Sequence, residues 1–136
     1  MTTIAPSPDC QETTRTAEVA RLNDAARSGT LANSRTVLTR ALADLLAGGS
    51  DDPAIRQVRL FQGQCAMRRL INETPLDSGN DPHGERDFGV VTYLDRKIFW
   101  KVDVYENDRT YSWGAETPWD AKTSFRVVTI MLATDY

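Results

Sequence analysis

The sequence predicts an α+β fold, in which N-terminal helices pack on an antiparallel β-meander and a C-terminal helix, or alternatively a fourth strand, closes the core. Three observations carry that expectation. Apolar residues recur at helical spacing in the first half, the period changes to two beyond Phe88, and a Pro-, Gly-, Asn- and Asp-rich stretch separates the two regimes. With 136 residues, 40% of them apolar, the chain can bury one core without staples. A single domain over residues 13–136 is therefore expected, behind a flexible arm, residues 1–12, that has almost nothing to bury.

The first helix is expected near 13–27, with Ala17, Val19, Leu22 and Ala26 on one broad face and Ser28-Gly29 ending it. Arg35 to Thr39 is β-branched enough for a short strand, whereas Leu38 to Leu46 also carries helical spacing, so both readings stand there. Asp52 followed by Pro53 is a helix start, an N-cap with proline at the first helical position. The helix it opens is expected to reach about Ile71, with Val58, Phe61 and Cys65 as its apolar stripe and Leu60, Met67 and Ile71 widening it.

Glu73 to Asp87 is a long irregular stretch of the kind that seldom lacks a role. Strands follow at 89–94 and 98–105, the second with Ile98, Trp100, Val102 and Val104 on one face, and a third is expected at 110–113. Thr117-Pro118-Trp119-Asp120 resembles another helix start, so the segment 123–133 is expected as a helix, with a strand as the alternative.

The formal charge of -3 and a pI near 5.1 disfavour general attraction to a phosphate backbone. Cys10 and Cys65 share no metal-ligand spacing, and the sequence shows neither a signal peptide nor a run of about 18 apolar residues. A reduced, cytoplasmic protein without a membrane partner is the expectation.

The segment Asn80-Asp81-Pro82-His83-Gly84-Glu85-Arg86-Asp87-Phe88-Gly89 is the most distinctive in the chain. Together with Phe99-Trp100-Lys101-Val102-Asp103 and Arg126-Val127-Val128-Thr129-Ile130-Met131-Leu132-Ala133 it resembles a family of uncharacterised small bacterial proteins, a domain of unknown function. The resemblance implies a context on plasmids and other mobile elements of alphaproteobacteria, and it implies no catalytic residues. The family pattern has a second histidine where this chain has Arg86, and an Asp-Pro-rich turn where it has Trp113 to Trp119.

Asp81, His83, Glu85 and Asp87 alternate, so an extended backbone would send all four to one side as hard donors for a divalent cation. The preferred reading is structural: Asp81-Pro82 and His83-Gly84 build turns, and the carboxylates hold loop N–H groups and arginines. No cofactor or metal is expected. A small metal-dependent or acid/base enzyme centred on His83, Glu85 and Asp87 is one alternative, although no nucleophile or phosphate-cradling motif accompanies them. A DNA-binding regulator using Arg56, Arg59, Arg68 and Arg69 is another.

The acidic excess lies in the second half, where Asp95, Asp103, Glu106, Asp108, Glu116 and Asp120 fall on the turns and outer face of the meander. Trp113 and Trp119 flank the loop beside them, in positions where tryptophan often anchors an interface, or where Trp119 staples the final segment. The leading expectation is a non-enzymatic inhibitor of a bacterial defence system, of anti-CRISPR or anti-restriction type. It would cover a basic surface of its target with Asp103, Glu106, Asp108, Trp113, Glu116 and Trp119.

Overall fold

The structure is a computed structural model and describes residues 8–108 and 110–136. Along the chain run α1 (Pro8–Ser28), β1 (Ser34–Leu38), α2 (Arg40–Ala47), α3 (Pro53–Glu73), β2 (Phe88–Tyr93), β3 (Arg96–Glu106) and β4 (Ser124–Leu132). The four strands form one mixed sheet in the order β1-β4-β3-β2, antiparallel except for the parallel edge pair β1 and β4. The helices cover one face of it. Ala26, Leu42, Met67 and Ile71 meet Val91, Ile98, Trp100, Val102, Val128, Ile130 and Leu132 in the buried layer between.

Several sequence signals act as their chemistry requires. The Asp52 carboxylate accepts from the Ala54 and Ile55 N–H groups at 2.9 and 3.5 Å, with Pro53 in the first turn where no donor is lost. The ambiguity at Arg35–Leu46 resolves into both elements, a strand to Leu38 and a helix from Arg40 that ends on left-handed Gly48. Of the arm expected over 1–12, the first seven residues lie outside the described residues, and Pro8 to Glu12 belong to α1, which thus starts ahead of Thr13.

Three expectations need correction. Residues 124–132 form a strand, not a helix: Ser124, Arg126, Val128, Ile130 and Leu132 are buried while Phe125, Val127 and Thr129 lie half-buried on the other face. Alternation of that kind, in a β-branched segment, suits a central strand, and β4 satisfies the backbone of both β1 and β3. The apparent helix start ahead of it is a turn instead, closed by Asp120 N–H to the Thr117 carbonyl at 2.9 Å.

The strand expected at 110–113 is absent, and only an isolated bridge between Tyr105 and Gly114 remains. β4 takes one edge of β3 from Ile98 to Glu106, and on the other edge, beyond the end of β2, residues 113–115 make only this bridge. The third correction concerns α3. Its expected core stripe faces solvent, with Val58 56% and Phe61 70% exposed, and its buried side is Gly63, Met67 and Ile71. Gly63 decides the rotation: a Cβ there would meet the Leu46 side chain of α2 at 3.0 Å, so the helices approach closely only through that position. A similar fit sets β2 on β3, where the Trp100 indole lies over Gly89, its cross-strand partner, in space that any side chain would overlap.

Candidate functional site

The sheet's second face carries no helix. Phe125, Val127 and Thr129 of β4 lie there beside Phe99, Lys101, Asp103 and Tyr105 of β3, all half-buried. Tyr136 packs edge-on against Phe88 and Phe99 at 5.9 and 5.7 Å between ring centres. At the other end Tyr111 packs edge-on against Tyr105 and Phe125 at 5.7 and 5.8 Å, and the Arg35 guanidinium sits 5.3 Å from the Tyr111 ring.

Tyr111 belongs to the β3–β4 connection, residues 107–123, which is long but closed at its neck. Asn107 donates its backbone N–H to the Thr123 carbonyl and its amide to the Lys122 carbonyl, both at 3.1 Å. Farther out, the Glu106 N–H donates to the Trp113 carbonyl at 3.0 Å, the Ala115 N–H to the Val104 carbonyl at 3.2 Å, and the Glu116 N–H to the Glu106 carboxylate. Asp108 accepts from the Thr110 N–H and hydroxyl at 2.9 and 2.8 Å, and these bonds hold its carboxyl below the usual carboxylate range. The backbone around Trp113 is thereby fixed on both sides while its side chain is 71% exposed.

The fold brings Asp108, Trp113 and Glu116 of this loop together with Glu106 at the end of β3, with Asp103 farther back on that strand. Asp103 is not free: Lys101 pairs with it at 3.0 Å, and the hydrogen bond raises the Lys101 ammonium above its ordinary range. Trp119 is separate from the others. It stands on the helix side, half-buried, with the Arg15 guanidinium of α1 stacked 4.2 Å from its ring.

The distinctive 80–89 segment folds as one turn over 81–84, followed by a bend that leads into β2, and neither the second expected turn nor the alternation proposed for metal binding forms. The Gly84 N–H bonds the Asp81 carbonyl at 3.2 Å, and Gly84 and Arg86 both take left-handed φ of +70° and +52°. That geometry sends the four side chains apart. Asp81 accepts the Arg86 N–H at 2.9 Å, Glu85 lines a cleft with Arg15 and Trp119, and His83 lines another of about 610 Å³ with Glu12, Thr16 and Arg86. Among the described residues no three His, Cys, Asp or Glu side chains gather to hold a metal ion.

Arg86, the departure from the family pattern, makes a two-pronged pair with Asp24 of α1, Nε to Oδ1 at 3.0 Å and Nη2 to Oδ2 at 2.7 Å. The arginines of the DNA-binding alternative are also partly engaged. Arg56 donates to Asp44 at 2.9 Å, Arg59 to the Ala47 carbonyl at the end of α2 at 3.1 Å, and Arg68 to the Thr36 hydroxyl at 3.3 Å.

Sequence reasoning missed the most consequential charge in the molecule. Arg126 is fully buried; its Nε donates to Asn23 Oδ1 at 2.7 Å, its Nη1 to Ser124 Oγ at 2.9 Å, and its Nη2 to the Pro118 carbonyl. Asn23 in turn donates to the Glu85 carbonyl at 2.9 Å, so one buried network joins α1, the His83 loop and the β3–β4 connection. Burial pushes the guanidinium down to about 10, against the favourable fields of Glu18 and Glu85. The signal existed: read as a strand, the segment puts Arg126 in phase with Val128 and Ile130.

These features define a small two-layer α+β protein, three helices on a mixed four-stranded sheet, with a pinned aromatic loop beyond the helix-free face. Residues 38–135 match the family described as "Protein of unknown function (DUF3768)", and the chain belongs to that family. No curated protein and no solved structure matches it.

Proposed function

We propose that this protein acts by binding another protein, with Trp113 as the central anchor and Glu106, Asp108 and Glu116 as its acidic surround. The single observation that carries the reading is the combination of a fixed backbone and a free side chain at Trp113. A large aromatic held ready loses little entropy on docking, and truncating such an anchor typically costs about 2 kcal/mol or more of binding. Negative charge around it favours a target with a basic surface and speeds encounter. Asp103 contributes less than its position suggests, since Lys101 neutralises it.

The mobile-element context implied by the family resemblance gives the target class: a nuclease or effector of a cytoplasmic defence system, with this protein as an inhibitor of anti-CRISPR or anti-restriction type. That step rests on context, whereas the contact surface rests on geometry. Plasmid establishment in an alphaproteobacterial host with an active CRISPR or restriction system tests it. Expression of the wild type raises establishment, and the double variant Trp113→Ala, Glu116→Lys loses the effect while unfolding at the same urea concentration. A double variant that protects the plasmid as well as the wild type contradicts the proposed surface.

The cleft lined by His83, Glu12, Thr16 and Arg86 supports a second reading, acid/base chemistry on a small polar substrate. In that case activity would depend on His83 and be indifferent to Trp113.

A further inference from the structure

The outward side of α3 is apolar where a solvated helix would be polar. Ile55, Val58 and Phe61 are 43%, 56% and 70% exposed, and Cys65 is exposed beside them. Ala54, Val58, Phe61 and Cys65 follow one another at spacings of four, three and four, the seam of a helix that packs lengthwise on another helix. Asn72 continues the seam toward the C-terminal end, with Arg69 beside it, and Asp51 precedes it at the N-terminal end. Depressions of about 370 and 570 Å³ adjoin Phe61 along the Gln57 and Gln64 side, leaving room for an inserted side chain.

We infer that this face is covered by a second copy of the chain, with the two α3 helices antiparallel about a two-fold axis. Charge decides both the occupant and the direction. Asp51 stands at one end of the seam and exposed Arg69 at the other, and Arg69 makes no ion pair among the described residues, whereas Arg68 is half-buried and turned to Thr36. An antiparallel copy brings Asp51 to the Arg69 end of the other chain's helix, and the two-fold repeats that pairing at the far end. The same register sets Ala54 opposite Cys65 and Val58 opposite Phe61, a small residue against a larger one in each layer. A parallel copy would stack arginine on arginine and aspartate on aspartate.

Self-complementarity of this kind is what an isologous interface requires, and an unrelated partner would have no reason to match it. The seam lies on the outside of the helix layer, whereas Trp113 belongs to the β3–β4 connection, whose Tyr111 packs on the helix-free face of the sheet. A dimer therefore keeps both Trp113 loops free, and a target with two sites would be held with the added strength of linked binding.

Light scattering of the full chain at tens of micromolar is the test. The wild type has twice the 15.2 kDa mass of one chain. Phe61→Glu has the single mass with an unchanged circular dichroism spectrum, because Phe61 is exposed in the monomer; Val58→Glu is the second variant should the first fail to fold. Asp51→Arg and Arg69→Glu each weaken the dimer, and the two combined restore it. Ala54→Cys, oxidised, gives cross-chain disulfides between positions 54 and 65, whereas a parallel pair would link like positions. A monomeric wild type overturns the inference, as do a Phe61→Glu dimer, a double charge swap that does not recover, and disulfides between like positions. A monomer that binds some other helix along this stripe overturns it too.

Discussion

Arg126 is the costliest side chain in this fold to place. Taking a guanidinium out of water carries an effective penalty of several kcal/mol, offset here by three well-placed acceptors and by the fields of Glu18 and Glu85. Removing it leaves Asn23 Oδ1 and the Pro118 carbonyl without their donor in a buried site. Arg126→Ala is expected to lower stability by about 3–5 kcal/mol in urea unfolding, far beyond a surface substitution.

The residual strain of burial has a pH signature. With the folded value near 10 and the unfolded one well above it, both states hold the proton below pH 10, so Arg126 contributes no pH dependence there. Above pH 10 the folded state releases it first, the unfolded state binds more protons, and stability gains with rising pH. Relative to Arg126→Met, the wild type should therefore gain stability between pH 10 and 11.5; a constant difference would place the guanidinium in a less desolvated site. Asn23, equally buried, sits between Leu22 and Asp24 on α1 with nothing in its local pattern to mark it. Its role depends on a partner 103 residues away, and no local pattern carries that.

At the scale of elements, the local signals were legible where local chemistry decides. Asp52-Pro53, the hairpin of β2 and β3, and the Trp100 face all follow from short-range rules. The errors at β4 and α3 share a cause: in each, tertiary context chose between two adequate local readings. The Val-Val-Thr-Ile content of β4 supports strand or buried helix alike, and the vacancy between β1 and β3 selects strand. In α3 the larger apolar stripe lost to the one containing Gly63, because close approach to α2 outweighs the size of the buried side chains. The same contest left Val58, Phe61 and Cys65 outside.

The position of β4 gives a direct check. As it is flanked on both sides, every interior N–H points at an occupied neighbour, and a proline must lose a ladder bond. Thr129→Pro is expected to cost about 3 kcal/mol or more. Native-state hydrogen exchange should find the Val128 and Ile130 amides among the slowest. Exchange there as fast as in the 107–123 loop would contradict a central β4.

For the whole molecule, the two layers divide the work. The helix layer and the Arg126 network hold the His83 turn and the β3–β4 connection in place, while the second sheet face carries no helix and the Trp113 side chain beside it stays exposed. Most of the acidic and aromatic surface was legible in the sequence because turn residues mark exposed positions, which is how Glu106, Asp108, Trp113 and Glu116 were found together. Trp119 was not separable from them by sequence, since its stacking on Arg15 depends on α1 passing beside the loop, a contact between residues far apart in the chain. The extended reading of 81–87 failed for a similar reason: left-handed Gly84 and Arg86 are conformations that composition alone does not require.

The central claim is that Trp113, and not His83, carries the function. Trp113→Ala and His83→Ala, each checked for unchanged urea unfolding, should be compared in the same plasmid-establishment assay. The account predicts that protection is lost with Trp113→Ala and kept with His83→Ala. Protection kept by Trp113→Ala and lost by His83→Ala would contradict it and move the working site to the cleft beneath the His83 turn.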